Sequence, residues 1–143
     1  MATDVNAPLY TIEILRLAGS LPDGAPLDRV DGRSEQRSQT CGSSVLTEVQ
    51  IEAGRVVAVS QTVRACAFGQ ASAALVAQHA EGQSRDEIAE VLANLSAWLD
   101  GSRERPGGWG LEALAPARSR KSRHGAIILP VRALLAAVEE SGT

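Results

Sequence analysis

An α+β fold, a small antiparallel β-sheet with helices packed on one face, is the class this sequence predicts, and three observations predict it. Between positions 45 and 52, Val45, Thr47, Val49 and Ile51 alternate with Leu46, Glu48, Gln50 and Glu52, the period of a half-buried strand. A second β-rich run, 56–63, follows at once, with Val57, Val59 and Val63 on one face and Ser60 and Thr62 on the other. Beyond it the period changes to that of helices, and strands followed by helices give an α+β arrangement.

In chain order, positions 9–18 place Leu9, Ile12, Leu15 and Leu17 near one helical stripe with Ile14 beside it, and Gly19 stands where the helix can stop. Positions 20–40 are rich in Pro, Gly, Asp, Ser and Arg without an apolar period, which predicts a long surface loop. Ala53-Gly54 reads as the turn of a hairpin joining the two strands. The Ala-rich stretch 70–81 predicts a helix closed by Gly82.

Ser84-Arg85-Asp86-Glu87 is a capping box: the Ser84 hydroxyl and Glu87 carboxylate can satisfy free amides at a helix start. Ile88, Val91, Leu92, Leu95 and Leu99 continue it as an apolar stripe. Segment 101–109, with its glycines and Pro106, and segment 118–123, with four cations in six residues, read as exposed connections. A closing helix over 130–140 puts Pro130 in the first turn and Val131, Leu134, Leu135 and Val138 inward. No fixed-period repeat interrupts this order, and 143 residues with 44% apolar content suit one domain over 1–143.

Composition narrows the function classes. Aromatic residues make up 3% of the chain, so stacking platforms for bases are scarce, and a formal charge of −3 argues against a general nucleic-acid binder. No apolar run approaches a membrane span, and Met-Ala-Thr-Asp-Val-Asn has neither the basic nor the apolar part of a secretory signal. The expectation is a cytoplasmic protein, whose two cysteines are thiols or metal ligands rather than a structural disulfide.

Cys41-Gly42 lies at the entrance of the hairpin and Cys66 at its exit, so strand pairing brings both thiols toward one end of the sheet. Cys66 also precedes a helix, where free amides and the helix dipole favour the thiolate that metals require. The plainer reading is that both are small buried hydrophobes, and no CxxC pair argues otherwise. His124 follows the basic segment; such a histidine is ordinarily exposed or hydrogen-bonded, and His79 in the Ala-rich helix has only a structural reading. No Ser-His-acid set and no phosphate-binding glycine loop is present, so the residues predict no enzyme. Arg118, Arg120, Lys121 and Arg123 read as a solvated cluster, with contact to a phosphate or an acidic partner as the alternative.

Three stretches in this order, Leu9-Tyr10-Thr11-Ile12-Glu13-Ile14-Leu15, Cys41-Gly42 and Ala65-Cys66-Ala67-Phe68-Gly69-Gln70-Ala71-Ser72-Ala73, resemble the U-type iron–sulfur scaffold family of IscU, SufU and the N-terminal domain of NifU. The resemblance spans about Leu9 to Val138. It implies a ligand set of Cys41, Cys66 and His124. Arg123-His124-Gly125-Ala126 stands where the family has His-Cys or Lys-Cys, so Gly125 replaces a cysteine, and Ser43 replaces the aspartate that usually follows Cys-Gly. Arg118-Ser119-Arg120-Lys121-Ser122 likewise replaces the chaperone-recognition segment of some relatives.

What the resemblance implies is a non-catalytic scaffold or carrier for an iron–sulfur cluster. Cys41, Cys66 and His124 would bind iron or zinc, with the fourth ligand from outside the set, and Gly42 would allow close approach. Its partners would be proteins such as a cysteine desulfurase or a recipient. The alternative, favoured by Gly125 and Ser43, is a metal-free accessory or structural subunit that binds a protein partner. A third class, an enzyme using Cys41 or Cys66 as nucleophile, lacks a base placed in sequence to activate it.

Overall fold

The computed structural model describes residues 10–39 and 42–142. Helix α1 (Ile12–Gly19) leads to strands β1 (Gly32–Arg37), β2 (Ser44–Glu52) and β3 (Arg55–Arg64), then to helices α2 (Ala67–His79), α3 (Arg85–Leu99) and α4 (Lys121–Glu140), with 3-10 turns at Leu111–Ala117 before the last. The strands form one antiparallel sheet in the order β1-β2-β3. Helices α4 and α2 pack on the sheet, and α1 and α3 pack on them, so the helices are gathered on one face as expected.

The register explains which side chains face the helices. Rows Gly32–Val49–Val59, Ser34–Thr47–Gln61 and Gln36–Val45–Val63 share the inner face, where Val45, Thr47 and Val49 are fully buried. Arg33, Glu35 and Arg37 alternate with them on the exposed face. Strand β1 therefore corrects the expectation of an unbroken loop over 20–40. Its inward residues are glycine and neutral polar ones, so it carries alternation without an apolar period. Gly32 packs so closely on α4 that a Cβ there would overlap the Ala137 carbonyl oxygen.

The hairpin turn lies at Ala53-Gly54, both with positive φ, at 53° and 76°. A bulge opposite Gln50/Ile51 changes the parity of β3: Val56 pairs with Ile51 and enters the core, whereas Val57, expected inward, is the extra residue and is only half-buried. In α1 the expected stripe is also displaced. Ile14 is the fully buried residue, while Ile12 and Leu15 are 70% and 53% exposed; Leu9 lies outside the described residues. The helix is capped by Thr11, whose Oγ1 accepts from the Ile14 amide at 3.1 Å.

The capping box of α3 forms as its residues predict: the Glu87 amide donates to Ser84 Oγ at 3.2 Å and the Ser84 amide to Glu87 Oε1 at 2.9 Å. Ile88, Val91, Leu95 and Leu99 are buried, joined by Trp98, and Leu92 packs beside them. Helix α2 begins at Ala67 rather than 70 and ends at His79 rather than 81.

Helix α4 begins at Lys121, so the expected exposed connection 118–123 is partly helix and Pro130 lies inside it rather than in its first turn. Proline deprives the carbonyl four residues earlier of its donor. That carbonyl belongs to Ala126, which faces Gly69, and the next one, Ile127, accepts from the buried Ser72 hydroxyl of α2 at 2.6 Å. Packing against α2 makes this apolar segment helical through the proline.

Candidate metal centre

The row Arg37–Ser44–Arg64 ends the sheet, so the β1–β2 connection and the β3–α2 connection lie at the same end. Cys66 stands there as the N-cap of α2. Its carbonyl accepts from the Gln70 amide at 2.9 Å, and Gln70 Nε2 donates to the Ala65 carbonyl at 3.0 Å, which holds the residues on either side of the peptide link in place. The Cys66 side chain makes no capping hydrogen bond and is half-buried against the core. Its sulfur is thus committed neither to disulfide nor to cap.

Cys41 lies outside the described residues. Its neighbour Gly42 has φ 71°, the left-handed conformation that glycine adopts without strain, and a Cβ there would meet nothing within 4 Å. The connection is closed by the Ser38 amide donating to the Ser43 carbonyl at 2.9 Å, and Ser43, in the place of the aspartate, is buried.

His124 lies in the first turns of α4 and is half-buried. Its Nε2 is 3.0 Å from the carbonyl oxygens of both Ala117 and Arg118. Carbonyls only accept, so Nε2 carries a proton, and the neutral form of a ring held this way has its lone pair on Nδ1. Orientation of a metal-ligating imidazole through the N–H opposite the lone pair is the usual arrangement at metal sites. His79 is different: its Nδ1 donates to the Leu75 carbonyl at 2.8 Å and its ring stacks on Trp109, with centroids 5.9 Å apart. The structural reading of His79 holds.

What brings the Cys66 and His124 segments together is a contact between small residues. A Cβ on Gly69 would lie 3.2 Å from the Ala126 carbonyl oxygen and 3.4 Å from Ala126 Cβ, so the start of α2 packs closely on the start of α4, and it would lie 2.6 Å from Ala65 Cβ in the connection that precedes α2. Ala65 adjoins Cys66, and Ala126 lies two residues beyond His124. Among the described residues, however, no three His, Cys, Asp or Glu side chains form a group able to hold a metal. Cys66 and His124 are donor types that metals take, but the described residues do not make up a closed four-ligand cage.

Residues that the sequence reading passed over position these donors. Gly69, Gln70 and Ser72 join α2 to the β3 exit and to α4, and their signal was the run of small residues after Cys66. Arg118 is another: its guanidinium donates to the carbonyls of Trp98 (3.0 Å) and Arg103 (3.2 Å) and lies 5.1 Å from the centre of the Trp98 ring. It anchors the carbonyl that orients His124 instead of belonging to a solvated cluster. The shifted carboxylates belong to other structures: hydrogen bonds from Arg29 and the Ile51 amide hold the Asp31 carboxyl below its ordinary range, and those from the Ser84 amide and Arg55 do the same for Glu87.

A three-stranded antiparallel sheet packed against four helices, with a cysteine at the N-cap position of α2 and a histidine bonded to carbonyls near the start of α4, defines a small α+β protein. No family model matches the chain, and no curated protein does. Among solved structures, a nitrogen-fixing NifU-like protein (N-terminal) from Brucella abortus shares 26% identity over 94% of each chain, with a TM-score of 0.87. A putative iron–sulfur cluster assembly scaffold protein for the SUF system from Fervidobacterium islandicum AW-1 shares 19% identity over 91% of this chain and 96% of its own, with a TM-score of 0.80. A hypothetical protein shares 18% identity over 88% and 96%, with a TM-score of 0.70. The last two show a common fold alone. The first supports the resemblance of this chain to the U-type iron–sulfur scaffold family.

Proposed function

We propose that this chain is a non-catalytic scaffold or carrier that holds iron, or an iron–sulfur cluster as cargo, at the sheet end where α2 and α4 begin. The observation that carries the proposal is His124: two backbone carbonyls hold its Nε2 proton and leave Nδ1 free, at the start of the helix that crosses α2 just beyond Cys66. Cys66 and Cys41 supply thiolates, His124 supplies the Nδ1 lone pair, and Gly42 has open space where a side chain would stand. With Gly125 and Ser43 in place of a cysteine and an aspartate, the remaining coordination comes from water or from a partner protein. A set completed from outside suits a protein that receives and releases its cargo, and the partners are a sulfur donor of the cysteine desulfurase kind and a recipient protein. Zinc fits the same three donors and would occupy the site as a stand-in.

Metal and acid-labile sulfide in protein purified anaerobically, beside Cys41→Ala, Cys66→Ala and His124→Ala, test this reading. Stoichiometric metal that all three substitutions lower, accompanied by sulfide, supports it. Wild-type protein that takes up no metal even on reconstitution refutes it and leaves the metal-free accessory role that Gly125 and Ser43 favour.

A further inference from the structure

We infer that the outer face of α1 is the contact through which two copies of this chain pair about a two-fold axis. Helix α1 packs on α2 with Ile14 fully buried and Leu17 half-buried, and its other side is open. Among the described residues three large apolar side chains are exposed, and two of them, Ile12 and Leu15, stand one turn apart on that open side. At about 100° per residue, Ile12, Leu15 and Gly19 fall on one line along the helix. A Cβ on Gly19 would meet nothing within 4 Å, so the line is free over its whole length.

Folding of the single chain makes little use of these side chains. A lone exposed leucine is ordinary, but neighbours on one helix face form a patch. Isoleucine is also a poorer helix former than the polar residues suited to an outer face. Burial against a second molecule gives Ile12 and Leu15 a role.

The pattern beside the stripe identifies that molecule. Glu13 and Arg16 are exposed on the same flank, one acid and one base three residues apart. A two-fold axis beside Leu15 sets a second α1 antiparallel to the first and keeps the two flanks on the same side. Facing positions then have numbers that sum to about 30. Glu13 meets Arg16 of the second copy, Arg16 meets its Glu13, Leu15 meets Leu15, and Ile12 meets the Ala18–Gly19 end, where the side chains are smallest. Charge and size are both self-complementary under this one operation, which an unrelated partner would not require.

The rim ion pairs set register and orientation more than affinity. Two helices of eight residues make a small contact, at the weak end below about 1,200 Å², so the pair forms at high protein concentration. The inference goes beyond the scaffold reading and uses none of Cys41, Cys66 or His124, so metal-free protein tests it separately.

The experiment is sedimentation equilibrium of metal-free, full-length protein from about 10 µM to 1 mM in about 50 mM salt, where surface charges are only partly screened. The wild type should pass from monomer to dimer over this range. Glu13→Arg and Arg16→Glu should each weaken pairing by about fivefold or more, because both rim contacts become repulsive. An equimolar mixture of these two variants, and the doubly exchanged Glu13→Arg/Arg16→Glu, should return to within about twofold of the wild type. Ile12→Asp should stay monomeric, with an unchanged thermal midpoint at about 5 µM, where the wild type is monomeric too. A wild type that stays monomeric throughout, a dimer that ignores Ile12→Asp, or charge variants whose mixture fails to pair would each overturn the proposal. A lower midpoint of Ile12→Asp at 5 µM would overturn it as well, since the face would then be covered by residues 1–9 of its own chain.

Discussion

The close crossing at Gly69 makes a prediction that links packing to the site. In Gly69→Ala the new methyl would lie 2.6 Å from Ala65 Cβ and 3.2 Å from the Ala126 carbonyl oxygen, where carbon–carbon contact needs more than about 3.4 Å. Both neighbours are short or backbone groups that cannot rotate away, so the β3–α2 connection at Ala65, next to Cys66, must give by several tenths of an ångström and α4 by a few tenths at most. Such overpacking costs about 1–3 kcal/mol, against about 0.5–1 kcal/mol gained from the better helix propensity of alanine. The expected net loss is about 1–2 kcal/mol, read from urea unfolding as a lower midpoint at unchanged slope. Gly32→Ala is the control, because it overlaps the Ala137 carbonyl at another part of α4 and should destabilise by a similar or larger amount. Zinc affinity should fall in Gly69→Ala and stay near the wild-type value in Gly32→Ala under conditions where both are folded. Equal stability of Gly69→Ala and the wild type, or equal loss of zinc affinity in the two variants, would refute the claim that this crossing assembles the site.

Other predictions concern local structure. Ser72→Ala removes the buried hydroxyl that donates to the Ile127 carbonyl and should lower stability by about 1 kcal/mol, measured by denaturant unfolding. Ser84→Ala removes the acceptor of the Glu87 amide and should cost about 1 kcal/mol in the same assay. Asp31 and Glu87 have folded-state pKa values below those of the unfolded chain, so the stability they contribute is present above the usual carboxylate range and is lost as pH falls through their folded values. Thermal midpoints should therefore fall on acidification below about pH 4, and the difference between wild type and Asp31→Asn should narrow over that same window.

Much of the fold can be read from the residues because its signals are local. The β2 alternation, the Ala53-Gly54 turn and the Ser84–Glu87 box each act within a few positions and need no tertiary partner. Strand β1 is hidden because its inner face carries Gly32, Ser34 and Gln36, chosen by the closeness of α4 and by a polar row beneath it rather than by apolar burial. The start of α4 is hidden because Pro130 looks like a first-turn proline, whereas the helix runs through it from Lys121 while packed on α2, whose Ser72 hydroxyl bonds the Ile127 carbonyl. In α1 the expected stripe through Ile12 and Leu15 is displaced, because contact with α2 turns Ile14 inward instead.

The candidate site was legible as residue types and as a resemblance, but its geometry was not. Cys66 at a helix cap follows from the change of period after β3, although α2 begins three residues sooner than its alanine run suggests. The role of His124 depends on the Ala117 and Arg118 carbonyls, which the 3-10 turns and the Arg118 contacts deliver. No spacing in the sequence encodes that arrangement.

The central claim is that His124 ligates through Nδ1 at an end of the molecule shared with Cys66. Histidine-labelled nitrogen NMR during zinc addition tests it most directly, because it reports each ring nitrogen separately. The account predicts that zinc shifts His124 Nδ1 while Nε2 keeps its proton, that His79 is unaffected, and that Cys66→Ala weakens the response. A His124 ring that ignores zinc, or that binds it through Nε2, would contradict the account.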